Sequence, residues 1–392
     1  MNTPANILIV DDNPKNLQVL GKILKDNHYS IEFAMNGQIA LEWISARQFD
    51  LVLLDINMPG MDGFEVCNRI RSDQQYHQIP IIFLSAETSR ESILKGFEVG
   101  AQDYVTKPFD SRELLARVRT HIELKKNRDE ISEFSDLLKT KNKLITHSIH
   151  YALQIQKAVR NSTHKASSDF SSTFSLLLPR DIVSGDFEWF YRHNDSLLAG
   201  VFDCTGHGVP GALMSILGIT LLNETVDHEG CHQPNLILDN LRNKIIDALG
   251  QKGSMDEVKD GMDGAMISYD PKNRILGYAG ANSSSLLIRN GNVIELKGDR
   301  MPVSYYERQD KFSIQKIPLM DNDILYLFSD GYPDQFGGPS DKKFGLRRLR
   351  ELLTDCHKYS MEDQKRILYD TLMDWKGDRD QIDDVIVVGL KF

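Results

Sequence analysis

The segment that decides the fold of the first part of the chain is Leu51–Gly63, Leu-Val-Leu-Leu-Asp-Ile-Asn-Met-Pro-Gly-Met-Asp-Gly. The run of apolar residues before Asp55 shows no alternation with polar ones, which is typical of a strand buried on both faces of a sheet. Pro59 and the glycines stop the strand, and a helical stretch begins at Gly63. The segment therefore predicts a central strand of a parallel sheet, with Asp55 at its carboxyl end.

The same alternation of a short apolar strand and an amphipathic helix occurs five times between Asn6 and about His121. It predicts an α/β domain over residues 1–122, a five-stranded, doubly wound parallel sheet with helices on both faces. The carboxyl ends of the strands converge in such a sheet. The chemically active residues at those ends are Asp11, Asp12, Asp55, Ser85 and Lys107.

This group of residues predicts a magnesium site that accepts a phosphoryl group. Three carboxylates brought together repel one another, whereas a hard dication with oxygen ligands stabilises them. A carboxylate beside Mg²⁺, with a hydroxyl and a lysine ammonium placed for phosphoryl oxygens, is suited to accept phosphate covalently. We therefore expect Asp55 to be the nucleophile and the phosphorylation site, assisted by Ser85 and Lys107.

Across its whole length this segment, with these five residues, resembles the receiver domains of two-component response regulators. The resemblance implies that the backbone carbonyl of Asn57 joins the three carboxylates on Mg²⁺ and that Lys107–Pro108 is a cis peptide. It also implies that Tyr104 reorients with Ser85 upon phosphorylation, and that a sensor histidine kinase or phosphotransfer protein is the donor. The alternative is that the acids merely cap strand ends, which would not require these residue types in this order.

The composition of the 392 residues limits the class of protein. The formal net charge of −10 argues against a general nucleic-acid binder, and we identify no helix-turn-helix or basic recognition helix. The longest apolar runs fall far short of the roughly 20 residues of a membrane helix, and the N-terminus lacks the features of a signal peptide. We expect a cytoplasmic protein that binds neither nucleic acid nor membrane. Without Cys-x-x-Cys spacing, neither disulfides nor a zinc site are expected from Cys67, Cys204, Cys231 and Cys356.

Residues 123–160 form a predicted linker helix, because they contain neither glycine nor proline. A heptad spacing of apolar or small residues indicates a coiled coil and hence a homodimer. The alternative is one long helix packed on its own domain, since the second set of heptad positions includes Asn127, Lys141 and Ser148. The polar stretch Asn161–Ser172 is a candidate hinge. The heptad positions are Leu124, Ile131, Leu138, Ile145, Ala152 and Val159.

Residues 172–392 are predicted to form an α+β domain, an antiparallel β-sandwich flanked by helices, because most of the segment alternates in the manner of strands. Aspartates occur at predicted strand edges beside residues that allow a turn or a close backbone approach. Oxygen ligands spread over separate strands indicate Mg²⁺ or Mn²⁺ rather than zinc. The motif aspartates are Asp186, Asp203, Asp263, Asp330, Asp383 and Asp384.

A pair of such ions about 4 Å apart can share a water, lower its pKa and hold a phosphoryl group for in-line attack, so hydrolysis of a phosphate ester is the natural reaction. The order of these motifs resembles the metal-dependent phosphatases of the protein phosphatase 2C fold, most nearly the bacterial branch that regulates sigma-factor partner switching. By that resemblance, Asp186 and Asp203 bind the two ions as the main catalytic residues, and Asp330 and Asp383 bind one ion. The backbone carbonyl of Cys204 adds a further oxygen.

The roles of four further residues stay open. Asp384 is a candidate to support the metal ligands. His207, between two glycines, is either a general acid or phosphate contact or a residue of a tight turn. Arg180 is a candidate phosphate ligand, although this branch often lacks a clear equivalent. Asp263 either completes a third, loosely held metal site or is a turn acid.

Together these motifs predict a response regulator whose output is a serine/threonine phosphatase. By resemblance, its substrate is a phosphorylated anti-sigma-factor antagonist. The alternative is a catalytically silent scaffold that binds a partner and is gated by the receiver. Retention of all four predicted metal aspartates argues against the scaffold, because a scaffold has no need of them.

Overall fold

The computed structural model describes residues 4–86, 90–164, 170, 172–193, 196–229, 232–252, 260–307 and 309–392. The chain divides into two compact units, residues 1–142 and 143–392. Most of the candidate hinge, and Cys231, lie outside the described residues.

The first unit contains the predicted five βα repeats, and its five strands are all parallel. The elements are β1 Asn6–Val10, α1 Pro14–Lys25, β2 Ser30–Ala34, α2 Gly37–Ala46, β3 Leu51–Asp55, α3 Gly63–Ser72, β4 Ile81–Ser85, α4 Arg90–Glu98, β5 Asp103–Thr106 and α5 Ser111–His164. The sheet order β2-β1-β3-β4-β5 confirms the doubly wound α/β fold.

The central strands of this sheet are buried on both faces, as their unbroken apolar runs predict. Leu51 and Leu53 pack in one apolar cluster with Leu20 of α1, whereas Val52 and Leu54 pack in a second cluster on the other face. Successive strand residues point to opposite faces, so one strand fills both helical layers. The carboxyl edge of the sheet is thereby left for polar side chains.

Helix α5 is longer than the predicted linker. It runs without a break from Ser111 to His164, so the last helix of the receiver and the linker helix are one element. The division between the two compact units falls inside this helix, between Asn142 and Lys143. The long helix predicted from the absence of glycine and proline is therefore present, and the coiled coil stays a prediction.

The second unit contains the predicted antiparallel sandwich, built from two five-stranded sheets. Its elements are β6 Ser172–Leu178, β7 Phe187–His193, β8 Ser196–Cys204, α6 Gly208–Glu229, α7 Pro234–Leu249, β9 Met262–Asp270, β10 Ile275–Ala281, β11 Ser284–Arg289, β12 Asn292–Lys297, β13 Gln315–Pro318, β14 Ile324–Phe328, α8 Gly331–Asp334, β15 Phe336–Gly337, β16 Lys342–Lys343, α9 Leu346–Cys356, α10 Met361–Lys376 and β17 Val385–Lys391. The orders are β13-β10-β9-β8-β7 and β12-β11-β14-β17-β6, with a separate pair β15-β16.

Apolar side chains of both sheets meet in the middle of the sandwich, where Ile267 of one sheet and Leu327 of the other belong to one cluster. Helices α6 and α7 cover the outer face of the first sheet, and α9 and α10 cover the outer face of the second. Both helical layers pack apolar side chains against their sheets. The motif aspartates lie at or next to the ends of strands.

Helix α6 is more apolar than the sequence reading allowed for. Within the described residues, Gly208–Asp227 is the one segment long and apolar enough, by length and composition alone, to cross a membrane. Half of it is buried inside the fold, where Ile219, Leu222 and Val226 pack against the first sheet. Its composition is that of a core helix, because the residues it buries contact strands of its own domain.

Candidate functional site

The structure brings together Asp11, Asp12 and Asp55 at the carboxyl edge of the parallel sheet. One carboxylate oxygen from each lies within 4.8 Å of the others. Asp11 and Asp55 are buried, so their negative charges have little access to water. The side-chain amide of Asn16 and the N–H of Asn13 donate hydrogen bonds to Asp11. These bonds fix the orientation of the Asp11 carboxylate.

Lys107 supplies a positive charge to this cluster. Its Nζ lies 2.8 Å from Oδ2 of Asp11 and 2.8 Å from Oδ2 of Asp55. Burial alone would lower the pKa of Lys107, but the hydrogen bonds to the two acids raise it overall. Burial raises the pKa of Asp55, against the opposing effect of Lys107. One ammonium group faces three carboxyl groups, so negative charge is in excess in this cluster. A divalent cation would balance it.

The remaining receiver residues lie around this cluster. The N–H of Asn57 donates to Asp55, and the Lys107–Pro108 peptide is cis, as the resemblance implied. Ser85 is buried at the end of β4, and Ser85 and Tyr104 both line one small cavity.

Tyr104 also contacts helix α5. Its ring lies 5.5 Å from the guanidinium of Arg117. Asp103 beside it forms an ion pair with Arg117, and its Oδ2 lies 3.1 Å from Nε2 of His121. All these partners on α5 belong to the first unit. Strand β5, which carries Tyr104, is thus held to α5 by electrostatic contacts.

In the second unit the predicted acids lie at strand ends on one side of the sandwich. Asp186 directly precedes β7, and Asp203 lies in β8 opposite Asp263 of β9. Asp330 follows β14 and precedes the short helix α8, and Asp383 comes before β17. Four separate stretches of sequence therefore deliver carboxyl groups to one place.

These carboxyl groups contact one another. The side chains of Asp186 and Asp203 are within hydrogen-bonding distance, as are those of Asp203 and Asp330. Asp383 is close enough to all three to act on them electrostatically. Asp186 is buried, and its Oδ2 has no hydrogen-bond partner among the described residues. A buried carboxylate oxygen without a hydrogen-bond partner is expected where that oxygen binds a metal ion.

Burial and mutual repulsion disfavour ionisation of the acids. Burial raises the pKa of Asp186 to about 7 and that of Asp203 to about 10, and the neighbouring acids add to both effects. Burial also raises the pKa of Asp330, with contributions from Asp334 and Asp383. Divalent cations would reverse this tendency, since they favour the ionised forms. The donor set, oxygen atoms alone, fits Mg²⁺ or Mn²⁺.

Two glycines allow the close backbone approaches that form this site. A Cβ at Gly331 would lie 1.9 Å from the carbonyl oxygen of Asp384, and a Cβ at Gly211 would lie 2.3 Å from that of Gly206. The first approach brings the Asp330 turn against the strand that follows Asp383. The second brings the start of α6 against the turn after Asp203. Any side chain at either position would push the acid-bearing segments apart.

Asp384 supports the loop that carries Asp186. Its carboxylate accepts hydrogen bonds from the N–H groups of Arg180, at 2.7 Å, and Gly185, at 2.6 Å. Burial raises the pKa of Asp384, and these two backbone bonds oppose that effect. The geometry is that of a supporting residue, as the sequence reading proposed. The side chain of Arg180 is exposed and donates to the carbonyl oxygen of Ile382.

Two further candidates each have a partner that sequence reading did not name. Nδ1 of His207 lies 2.9 Å from Oδ2 of Asp181, and both side chains are about half exposed. Asp263 accepts a hydrogen bond from the amide of Asn282 at 3.0 Å. Burial raises the pKa of Asp263. Asp330 is close enough to act on Asp263 electrostatically. Asp263 does not belong to the series of contacts that joins Asp186, Asp203 and Asp330.

A cleft of about 290 Å³ opens beside the acids. Its walls include Asp203, Asp330, Asp263, Asn282, Ser283 and Leu346. Cys204, the residue after Asp203, is buried, and this burial raises the pKa of its thiol well above the ordinary value. The thiol is therefore unsuited to be a nucleophile, whereas the predicted use of Cys204 concerns only its carbonyl.

Sequence reading missed Ser329 and Asp181. Ser329 is buried, its hydroxyl is within hydrogen-bonding distance of Asp186, and it accepts a bond from the N–H of Ile386 at 3.2 Å. The signal for Ser329 was its place directly before Asp330. Asp181 gave no signal that distinguishes it from a surface acid, because its partner His207 is 26 residues away.

The raised pKa values predict an unusual pH dependence of stability in the metal-free protein. Groups with raised pKa values bind more protons in the folded state, so their contribution to stability is present near pH 4 and is lost as pH rises through about 7. We expect the melting temperature of the second unit in EDTA to fall from pH 5 to pH 8. A loss of about 1 kcal/mol lowers it by roughly 2–4 °C.

Differential scanning calorimetry of the full chain in EDTA would measure this trend, with Asp203→Asn as the comparison. The variant should show a shallower fall, because it removes one of the two coupled acids. Equal slopes for both proteins would contradict the assignment of the trend to this cluster.

Comparison with known families divides the chain in the same way as the structure. Residues 7–119 match the response regulator receiver domain, and residues 193–392 match Stage II sporulation protein E (SpoIIE). Among solved structures, the chain is similar to the SiaA-PP2C domain of Pseudomonas aeruginosa. The two are 31% identical with a TM-score of 0.59, over 64% of this chain and 98% of that one.

Several curated relatives share mainly the receiver part. The chain is 42% identical over 136 residues to a probable cyclic di-GMP phosphodiesterase of Vibrio cholerae, covering 35% of this chain and 31% of that protein. It is 43% identical over 119 residues to the transcriptional regulatory protein YvrH of Bacillus subtilis, covering 30% of this chain and 49% of that protein. The chain thus spans less than half the length of these relatives.

The two matched families include every acid of the first site and all of the second except Asp186, which precedes the SpoIIE match. The receiver match contains the Asp11, Asp12 and Asp55 cluster, and the SpoIIE match contains Asp203, Asp330 and their neighbours. The latter match covers just over half of the chain. The chain therefore belongs to the Stage II sporulation protein E family of PP2C-type phosphatases, and it carries a response regulator receiver domain at residues 7–119.

Proposed function

We propose that this chain is a response regulator in which phosphorylation of Asp55 controls a metal-dependent serine/threonine phosphatase. The observation that carries the catalytic part is the contact chain of Asp186, Asp203 and Asp330, with a buried, unpartnered oxygen on Asp186. Buried acids with raised pKa values call for divalent metal, which favours their ionised forms. A scaffold would not need this arrangement.

In the receiver, we propose that Asp11, Asp12, Asp55 and the carbonyl of Asn57 hold Mg²⁺. A carboxylate oxygen of Asp55 forms the new bond to phosphorus as the bond from phosphorus to the donor's histidine nitrogen breaks. Lys107, 2.8 Å from Asp55, is placed to hold a phosphoryl oxygen. Ser85 offers a hydroxyl to another. The donor is a sensor histidine kinase or a phosphotransfer protein.

In the phosphatase, we propose that two Mn²⁺ or Mg²⁺ ions are held by Asp186, Asp203, Asp330, Asp383 and the carbonyl of Cys204. When bound, such ions supply an activated water and charge neutralisation for hydrolysis. Ser329 and Asp384 orient the segments that carry Asp186. The cleft beside Asp203 admits the phosphorylated side chain. As water attacks phosphorus, the bond from phosphorus to the side-chain oxygen breaks, and that oxygen takes a proton from the water and leaves as a hydroxyl.

The proposed substrate is a phosphoserine or phosphothreonine on an anti-sigma-factor antagonist, by resemblance to the sigma-factor-regulating branch. With Mn²⁺, the full chain should release phosphate from phosphoserine and phosphothreonine peptides at least about tenfold faster than from a matched phosphotyrosine peptide, a difference of ~1.4 kcal/mol. Malachite-green assay of released phosphate would measure it. A preference for phosphotyrosine would contradict the proposed substrate class.

We also propose a homodimer formed through α5, in the cytoplasm. The heptad side chains of Leu124, Ile131, Leu138 and Ile145 are 50–71% exposed in the single chain, and each would be buried in a coiled coil. Light scattering should give twice the chain mass for the wild type and the single mass for Ile131→Lys with Leu138→Lys. A monomeric wild type would refute the dimer.

A further inference from the structure

The C-terminal part of helix α5 belongs to the second unit and buries an amide side chain there. Gln156 is buried, whereas its neighbours Gln154 and Ile155 are exposed. Its Nε2 donates to the carbonyl oxygen of Ser184 at 2.5 Å and to Oγ of Ser215 at 2.8 Å. Its Oε1 accepts from the N–H of Ser184 at 3.4 Å. The amide thus binds both backbone groups of Ser184.

Four residues further along, Arg160 makes a second polar contact with the same unit. Its Nε lies 3.6 Å from Oε1 of Glu188. Glu188 is buried, and its Oε2 has no hydrogen-bond partner in the described part of the chain. A buried carboxylate is costly without a paired cation. Arg160 therefore supplies a cation beside the buried Glu188.

The two contacts lie on either side of Asp186. Ser184 comes two residues before Asp186, and Glu188 comes two residues after it. The link from Ser184 is direct, because its Oγ accepts from the N–H of Asp186 at 3.1 Å and donates to the carbonyl oxygen of Asp186 at 3.1 Å. Helix α5 thus holds the chain both before and after the acid whose Oδ2 is unpartnered.

The geometry of α5 makes these contacts sensitive to its position. Residues four apart lie on one face of a helix, about 6 Å apart along its axis. If the helix rotates about its axis, Gln156 therefore loses Ser184 at the same time as Arg160 loses Glu188. Successive residues of a helix are about 100° apart around the axis. A translation of about 1.5 Å, the rise of one residue, is enough to break a hydrogen bond of 2.8 Å.

We propose that Gln156 and Arg160 are positioning residues for the phosphatase, which hold Asp186 in the geometry that binds metal. The position of α5 is then read directly at a metal-binding carboxylate. This inference rests on the proposed function, in which Asp186 is a metal ligand. Loss of a residue that orients a ligand typically weakens metal binding by about 10–100-fold.

The test is Mn²⁺ binding and Mn²⁺-dependent turnover of para-nitrophenyl phosphate by the full chain. Gln156→Ala and Arg160→Ala should each raise the Mn²⁺ concentration for half-maximal activity by about tenfold or more. The kcat at saturating Mn²⁺ should return to within about twofold of wild type, because the metal can restore the ligand geometry. Isothermal titration calorimetry should show the same loss of Mn²⁺ affinity without substrate.

Matched substitutions on the same helix serve as controls. Gln154→Ala removes the same residue type from an exposed position, and Lys157→Ala removes an exposed cation. Both should keep the Mn²⁺ dependence of wild type. Arg160→Lys retains the charge beside Glu188 and should recover most of the Mn²⁺ affinity lost in Arg160→Ala.

A role limited to stability would lower the melting temperature of Gln156→Ala without changing Mn²⁺ affinity, and that result would overturn the proposal. If Gln156→Ala does not fold, Gln156→Glu keeps the size and removes the amide donor, and wild-type Mn²⁺ affinity in that variant would also overturn it. Asp203→Asn separates the two levels. Full activity in Asp203→Asn would refute the proposed function. If Asp203→Asn is inactive but the Gln156 and Arg160 variants bind Mn²⁺ as the wild type does, only this inference is refuted.

Discussion

Asp203→Asn is expected to lower Mn²⁺-dependent turnover of para-nitrophenyl phosphate by at least about 10³-fold, or ~4 kcal/mol in the transition state. The reason is its central position, since its carboxyl group contacts both Asp186 and Asp330. An amide keeps the size of the side chain but removes the charge needed by two ions. Few substitutions in the chain should have a larger effect.

The control for this prediction is Asp321→Asn, which removes an acid that is 86% exposed and pairs with Arg274 in the same unit. Its turnover should equal that of wild type. Asp203→Asn should remain folded, because an amide has nearly the size of the protonated carboxyl group that burial favours at this position. Undiminished turnover in a folded Asp203→Asn protein would refute the assignment of the catalytic centre.

Asp55→Asn is expected to abolish the response of the phosphatase to beryllofluoride, which mimics an acyl phosphate. In the wild type, beryllofluoride with Mg²⁺ should change the turnover rate by about 5–150-fold, the usual range for coupling between two sites. The variant lacks the carboxylate that binds the mimic, so its rate should be the same with and without it.

Steady-state kinetics of the full chain, with and without beryllofluoride, measure this response. Asp26→Asn, an exposed acid at the end of α1, should respond as the wild type does. An unchanged wild-type rate, or an equal response in Asp55→Asn, would contradict control of the phosphatase through Asp55.

Prediction from sequence succeeded where one local pattern determines the structure. The unbroken apolar run Leu51–Leu54 predicted a strand that is buried on both faces, and β3 is buried along its whole length. Asp55 and Lys107 were found because parallel strands bring their carboxyl ends together, and the two side chains are 2.8 Å apart. Order along the chain was sufficient here, since each site residue directly follows a recognisable strand.

Prediction was incomplete where long-range contacts determine the role of a residue. Gln156 is not one of the heptad positions and was assigned no role, because its partners Ser184 and Ser215 are 28 and 59 residues away along the chain. The short edge strand β13, Gln315–Pro318, has too few residues to show alternation. The continuity of α5 through residue 122 was missed because the linker was delimited by its heptads, although no helix breaker lies there.

The central claim is that each of the two acid clusters is a site for divalent cations. Anomalous diffraction from a crystal of the full chain grown with abundant Mn²⁺ tests it most directly. The account predicts one Mn²⁺ beside Asp11, Asp12 and Asp55, and two among Asp186, Asp203, Asp330 and Asp383, bound to their oxygen atoms. A second cluster without anomalous density, its carboxyl groups turned away from one another, would contradict the account.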